Sequence, residues 1–167
     1  KALVQLEGTA IDIPAGPSEV LIIADADSDP SFVASDLLSQ AEHGTDSQVI
    51  LLTCSEDFTE KVLAETQRQA MLLPRKDIAL KALENSFSIL LGSTDECIEF
   101  SNLYAPEHLI ISTSDPQGPA GKVTSAGSVF LGKYSCESAG DYASGTNHTL
   151  PTAGNARSYG GVSAESF

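Results

Sequence analysis

Three short stretches of the sequence hold all three of its histidines, and each sets an imidazole beside other groups able to bind or move a proton. Gln40 and His43 stand three residues apart, interleaved with the apolar series Ala34, Leu37, Leu38 and Ala41. A helix advances about 100° per residue, so that series forms one core-facing stripe and Asp36, Gln40 and His43 fall on the opposite side. Side chains at i and i+3 are neighbours, so an amide and an imidazole placed there can meet on one small target. The plain alternative is a solvated polar face. Glu107 and His108 directly follow Pro106 at the head of an apolar run. A carboxylate beside an imidazole can divide proton-transfer work. Adjacent strand residues point to opposite faces, so both reach one substrate only if the chain bends, which Pro106 favours. The alternative is a strand-edge pair with structural hydrogen bonds. Finally, Gly140 to His148 packs Asp141, several hydroxyls, Asn147 and an imidazole into a Gly-rich loop. Such a loop allows tight turns and close backbone approach, or is simply polar surface. Acid, amide and imidazole together also suit a borderline metal such as zinc.

The elements that must position these groups alternate in type. Glu19–Ala24, Ser47–Cys54, Ser86–Leu91, His108–Ser112 and Gly127–Leu131 are short apolar runs rich in branched residues, the pattern of buried strands. Helices are expected from Pro30 to about Glu42, from the cap Ser55 to Leu73, over Arg75–Asn85, and from the cap Ser93 to Tyr104. Asp29-Pro30 supplies a cap and a first-turn proline, and Ser93 with Glu96 fits a capping box. Ser114–Lys122, with its prolines and glycines, reads as loop or at best a poor helix. The alternation predicts an α/β fold with a mostly parallel sheet and helices on both faces. Ligands in such sheets usually sit beyond the carboxyl ends of the strands, so that edge is where a site is expected.

The chain has 167 residues and a net charge of −14, and 41% of its residues are apolar. That size supports one domain with a sizeable core. The charge repels phosphate backbones and anionic membranes, so neither nucleic acid nor membrane is an expected partner. No apolar run approaches the roughly 20 residues of a membrane span, and the start lacks a signal-like pattern. Cys54, Cys97 and Cys136 form no CxxC pair and no disulfide framework, which favours a reducing compartment such as the cytoplasm. No GxGxxG follows a strand, and no phosphate loop, HExxH or GxSxG occurs. Residue patterns alone therefore assign no nicotinamide site.

Five motifs, in order, carry a resemblance: PAGPSEV from Pro14, DLLSQAEHG from Asp36, APEHL from Ala105, AGSVF from Ala126, and GDYASGTNH from Gly140. Together they resemble histidinol dehydrogenase over nearly the whole chain. The resemblance implies an incomplete Rossmann-like fold and a zinc-dependent enzyme of histidine biosynthesis. Such an enzyme oxidises L-histidinol to L-histidine through an aldehyde, in two hydride transfers to two NAD. Carried over by motif, Gln40, His43 and Asp141 would be zinc ligands, and Glu107 and His108 the acid–base pair. His108 would take the alcohol proton, and Glu107 would activate the water that attacks the aldehyde. Substrate contacts would come from Ser18 and His148, with Gln40, His43, His108 and Asp141.

The sequence also departs from that family. Members are well over twice this length and work as homodimers. The nicotinamide contacts, a further zinc-ligating histidine and a substrate-binding glutamate belong to parts not found here. Cys136 stands where proline is usual, and the Pro- and Gly-rich 114–122 stretch where a helix is expected. A catalytic-core segment without appreciable activity of its own is therefore one expectation. A non-catalytic metal- or partner-binding α/β domain is another. A third, a generic acidic scaffold, requires Gln40, His43 and Asp141 to lie far apart. The expected organisation is a lead-in over 1–18, the α/β core over 19–150 and a shortened extension over 151–167. The compartment would be the cytoplasm, or a plastid were the source a plant.

Overall fold

The computed structural model describes residue 13, residues 16–147 and residues 149–162. Five strands form one sheet: β1 (Glu19–Ala24), β2 (Gln48–Thr53), β3 (Phe87–Leu90), β4 (His108–Ser112) and β5 (Ser128–Leu131). Their order is β3-β2-β1-β4-β5 and every pairing is parallel. The sheet is thus entirely rather than mostly parallel, in the order of the first five strands of a Rossmann fold. The central strands β1 and β4 are buried along their whole length and β2 after its first residue, whereas the edges β3 and β5 are partly exposed. Strands covered on both faces need unbroken apolar runs, and EVLIIA, QVILLT and HLIIS supply them.

Side-chain alternation sorts these runs into two cores. Val20, Ile22, Val49, Leu51 and Ile110 face α1 (Pro30–Ala41), α2 (Glu56–Ala70) and α3 (Lys76–Leu83), where Val33, Leu37, Phe58, Val62 and Ala79 meet them. Leu21, Ile23, Ile50, Leu52, Leu109 and Ile111 face the other way, onto Cys97 and Ile98 of α4 (Thr94–Tyr104) and Ala120 of α5 (Gln117–Ala120). Helices therefore cover both faces.

The caps act where the sequence places them. The carboxylate of Asp29 accepts from the Ser31 amide at 2.8 Å, and the hydroxyl of Ser55 from the Phe58 amide at 3.2 Å. Ser93 accepts from the Glu96 amide at 3.2 Å. The return bond of the expected capping box shifts by one residue: Glu96 accepts from the amide of Gly92, at 2.8 Å, rather than from that of Ser93. Helices α1 and α2 are shorter than periodicity implies, ending at Ala41 and Ala70. The turn residues Met71–Leu73 are released because the chain must approach Pro74 in a non-helical conformation. Ser114–Lys122 keeps a single helical turn, α5, in line with its composition. No helix among the described residues is long and apolar enough to cross a membrane.

Two backbone features govern the start of β4. Ala105 ends α4 in the left-handed region, at φ 57°, and its amide bonds to the Ser101 carbonyl at 2.7 Å. The chain then runs through Pro106 and Glu107 into the strand. Beside it, the Gly127 amide donates to the Pro106 carbonyl and the Ser128 amide to the Glu107 carbonyl, both at 2.9 Å. A Cβ on Gly127 would lie 2.5 Å from the Glu107 carbonyl oxygen. That contact is with backbone, which cannot swing aside. Gly127→Ala is therefore expected to destabilise the protein by about 1–3 kcal/mol. Gly160→Ala, where a Cβ meets nothing within 4 Å, should change stability by less than about 0.5 kcal/mol. Denaturant unfolding of the two variants tests this, and equal stabilities would refute the close-packing role of Gly127.

Candidate functional site

Ser18, Gln40, His43, Glu107, His108 and Asp141 all line one cleft of about 400 Å³. The sixth substrate contact implied by resemblance, His148, lies outside the described residues. Gln40, His43 and Asp141 thus line the same cleft, which counts against the generic-scaffold reading that needed them far apart. The cleft also corrects the expected location: it sits at the amino edge of the sheet, not at the carboxyl edge. Ser18 precedes β1, Glu107 precedes β4, and His108 is the first residue of β4. Gln40 and His43 reach this edge because α1 runs antiparallel to the strands and returns the chain to the start of β2. The helix C-terminus there carries partial negative charge and favours a cation.

Gln40 does not lie on a solvated face; it is 3% exposed. His43 lies beyond the helix, in the turn after Ala41, where its amide bonds to the Gln40 carbonyl at 3.1 Å. The two side chains still share the cleft, through a helix end rather than a helix face. Asp36, expected beside them, is half-buried and does not line the cleft. Its carboxyl is pushed up to about 7 by burial and by the nearby charge of Glu137.

The Glu107–His108 pair is held by a single residue, Glu19. The Glu19 amide donates to Glu107 Oε2 at 2.9 Å, and the Glu19 carbonyl lies 3.1 Å from His108 Nδ1. A carbonyl can only accept, so this contact assigns the proton to Nδ1 and leaves the lone pair on Nε2. Glu107 Oε2 also lies 3.5 Å from Nδ1, and Glu137 Oε2 3.8 Å. Both members of the pair face one cleft because only His108 belongs to the strand. Glu107 precedes it, on the chain turned by Ala105 and Pro106, so strict alternation does not bind the two. Burial pushes the Glu107 carboxyl up to about 7, with the charges of Glu19, Glu137 and Asp141 adding to the effect against the Glu19 amide hydrogen bond.

Asp141 lies on α6 (Ser138–Tyr142), a short helix where the glycines led to the expectation of loop. The residue before it, Glu137, was not anticipated. Glu137 is 7% exposed, accepts from the Ser39 hydroxyl at 2.7 Å, and so ties the start of α6 to α1 beside Gln40. Its spacing of four from Asp141 is the signal that a helical reading of 137–142 would have supplied. Arg75 was also missed; it lines the cleft and donates to the His43 carbonyl at 3.5 Å.

Four carboxylates, Glu42, Glu107, Glu137 and Asp141, line this cleft against the one guanidinium of Arg75. Such an excess of negative charge in a partly dehydrated space favours a cation. Among the described residues no three His, Cys, Asp or Glu side chains are grouped as a metal ligand set. The donors implied by resemblance are one imidazole, one carboxylate and one amide, and these three share the cleft.

Comparison with known proteins gives one consistent family. The family model for histidinol dehydrogenase matches residues 1–167. The histidinol dehydrogenase of Bacteroides thetaiotaomicron is 59% identical over 167 residues, covering 100% of this chain and 39% of that protein. That of Campylobacter jejuni is 56% identical over 162 residues, covering 97% of this chain and 38% of its own length. The crystal structure of histidinol dehydrogenase from Elizabethkingia anophelis superposes with a TM-score of 0.95 at 62% identity, over 100% of this chain and 39% of that one. The chain thus spans about two fifths of the length of the relatives it matches.

Two carboxyls raised well above their ordinary range, those of Asp36 and Glu107, make stability depend on pH. In an unfolded chain Asp36 and Glu107 titrate near the ordinary 3.8 and 4.5, whereas in the folded protein both titrate at about 7. Between those values the folded state holds protons that the unfolded state releases, so their contribution is full at low pH and lost as pH rises through about 7. Asp36→Asn imitates the protonated form. Metal-free variant and parent should unfold at similar urea concentrations near pH 4, and the variant should be the more stable at pH 8. A variant equally destabilised at both pH values would show that the Asp36 carboxylate carries no such strain.

Proposed function

Because the chain belongs to the histidinol dehydrogenase family, we propose that it forms the catalytic core of an enzyme that oxidises L-histidinol to L-histidine through the aldehyde, with NAD as hydride acceptor. The observation that carries this reading is the clamp of Glu107 and His108 by the Glu19 backbone on a cleft shared with Gln40, His43 and Asp141. In this proposal residues 19–150 are the catalytic core, 1–18 the lead-in and 151–167 an extension. The complete enzyme is a cytoplasmic homodimer, and its nicotinamide site involves no residue assigned in this chain.

The donor set fits zinc. Imidazole nitrogen and carboxylate oxygen are ordinary zinc donors, an amide oxygen can join them, and the acidic cleft offsets the charge of the ion. Gln40, His43 and Asp141 would hold it. When bound, zinc would supply a template for the substrate's nitrogen atoms and stabilise negative charge developing on its oxygen.

The remaining chemistry falls to the protein. With Nδ1 engaged by the Glu19 carbonyl, His108 has Nε2 free to accept the hydroxyl proton as hydride leaves the alcohol carbon. Glu107, raised towards neutrality, deprotonates the water that attacks the aldehyde and prepares the second hydride transfer. Two adjacent bases thus serve two different proton transfers. Ser18 and His148 contact the substrate, and burial of Gln40, Glu107 and His108 keeps bulk water from the reacting atoms.

Two measurements test this reading. Zinc titration of the chelated chain should show binding that His43→Ala weakens at least tenfold, since imidazole is the strongest of the three donors. Unchanged affinity removes the metal assignment and leaves a partner-binding domain. In the complete enzyme, Glu107→Gln should slow aldehyde oxidation about a hundredfold to ten-thousandfold while affecting alcohol oxidation less, and loss of His108 should slow both steps. Aldehyde turnover at the parent rate in Glu107→Gln would return Glu107 to a structural role.

A further inference from the structure

The carboxyl edge of the sheet, opposite the cleft, holds two thiols that the proposed chemistry does not use. Cys54 directly follows the last residue of β2 and is exposed, while Cys97, near the start of α4, is 1% exposed. Their sulfur atoms lie 4.0 Å apart. Strand alternation explains the meeting. Ile50 and Leu52 face the α4 side of the sheet, and Cys54, two residues further on, continues that row. The Ser93 cap fixes where α4 begins and so sets Cys97 against the end of the row, within the same core as Leu52. One thiol is therefore open to solvent and its neighbour is shielded by packing. No third cysteine competes at this edge, since Cys136 sits beside Ser138, which lines the cleft.

We infer that Cys54 and Cys97 form a modification site at which a peroxide closes a disulfide between β2 and α4. The Cys54 thiolate attacks one peroxide oxygen; the O–O bond breaks, hydroxide leaves and is protonated to water, and the sulfur becomes a sulfenic acid. The Cys97 sulfur then attacks that of Cys54. The S–S bond forms, the S–O bond breaks, and the departing hydroxide takes the Cys97 proton as a second water. Two thiols and one peroxide become one disulfide and two waters. The order of roles follows from exposure. Burial, with the Cys54 thiol and Glu96 nearby, pushes the Cys97 thiol up to about 12, so Cys97 waits for an activated partner while Cys54 meets the oxidant.

The bond would join positions 43 residues apart and restrict the unfolded chain far more than the folded one. It lies the length of β2, roughly 20 Å, from the amino edge. It therefore acts as a clamp on the scaffold and not as a switch on the cleft.

Reduced protein is treated with a small excess of hydrogen peroxide, alkylated under denaturing conditions, and read by intact mass and peptide mapping. The expected product is a monomer lighter by about 2 Da before alkylation, with only one of its three cysteines alkylated, Cys136, and Cys54 linked to Cys97. Its melting temperature should rise by about 5–10 °C, reversibly with dithiothreitol. Cys54→Ser changes an exposed position and should abolish both the linkage and the shift. Accumulation of Cys54 as sulfinic acid or as an intermolecular dimer, with Cys97 still alkylated, overturns the inference. So does a linked product that melts at or below the temperature of the reduced protein.

Discussion

The peptide groups of Glu19 are the point on which the site depends. One donates to the Glu107 carboxylate and the other accepts from the His108 ring, so a single residue of β1 sets the position of both side chains and the tautomer of the imidazole. Side-chain substitution at 19 by any residue other than proline leaves both donor and acceptor in place, because they belong to the main chain. They hold only while β1 and β4 keep their register, with Val20 opposite His108. That register is protected by the two cores, since a slip of one residue would turn every apolar side chain of β4 to the wrong face. The buried sheet thus converts apolar packing into positional accuracy at its amino edge.

The opposite wall is held by a different bond. Ser39, on α1, donates to Glu137, which precedes α6, and so fixes Asp141 relative to Gln40. Packing of α1 on β1 and β2 carries this wall to the sheet. The cleft is formed where a helix end, a strand start and a short helix meet, and no single element carries it. Its location at the amino edge follows from the same geometry. The residues that follow the strands at the carboxyl edge are engaged in loop structure, as when Asp25 accepts from both the amide and the hydroxyl of Ser114.

Electrostatics sets the cost of this arrangement. Burial disfavours charge on the Asp36 and Glu107 carboxyls, and the nearby charge of Glu137 adds to the effect at both. A protein tuned only for stability would pair or solvate these groups. The raised carboxyls of Asp36 and Glu107, in and beside one cleft, therefore cost the folded protein stability as pH rises.

The sequence by itself determined the elements and their class. Branched apolar runs, Asp29-Pro30, Ser55 and Ser93 are local signals, read by near neighbours along the chain, and they placed five strands and the long helices to within a few residues. It also marked the polar groups of the cleft, because Gln40 with His43, Glu107 with His108, and Asp141 stand in short, chemically unusual stretches. Three matters were decided only by tertiary structure. Which edge of the sheet bears the site depends on where α1 ends in space, and composition does not encode that. Whether Glu107 and His108 share a face depends on the turn at Ala105 and on bonds from Glu19, 88 and 89 residues away in sequence. That Glu137 belongs to the site depends on Ser39, 98 residues distant, and on a short helix that survives its glycine because it is anchored at its start. Local propensity cannot report such contacts, since their partners are supplied by the fold and not by the neighbouring chain.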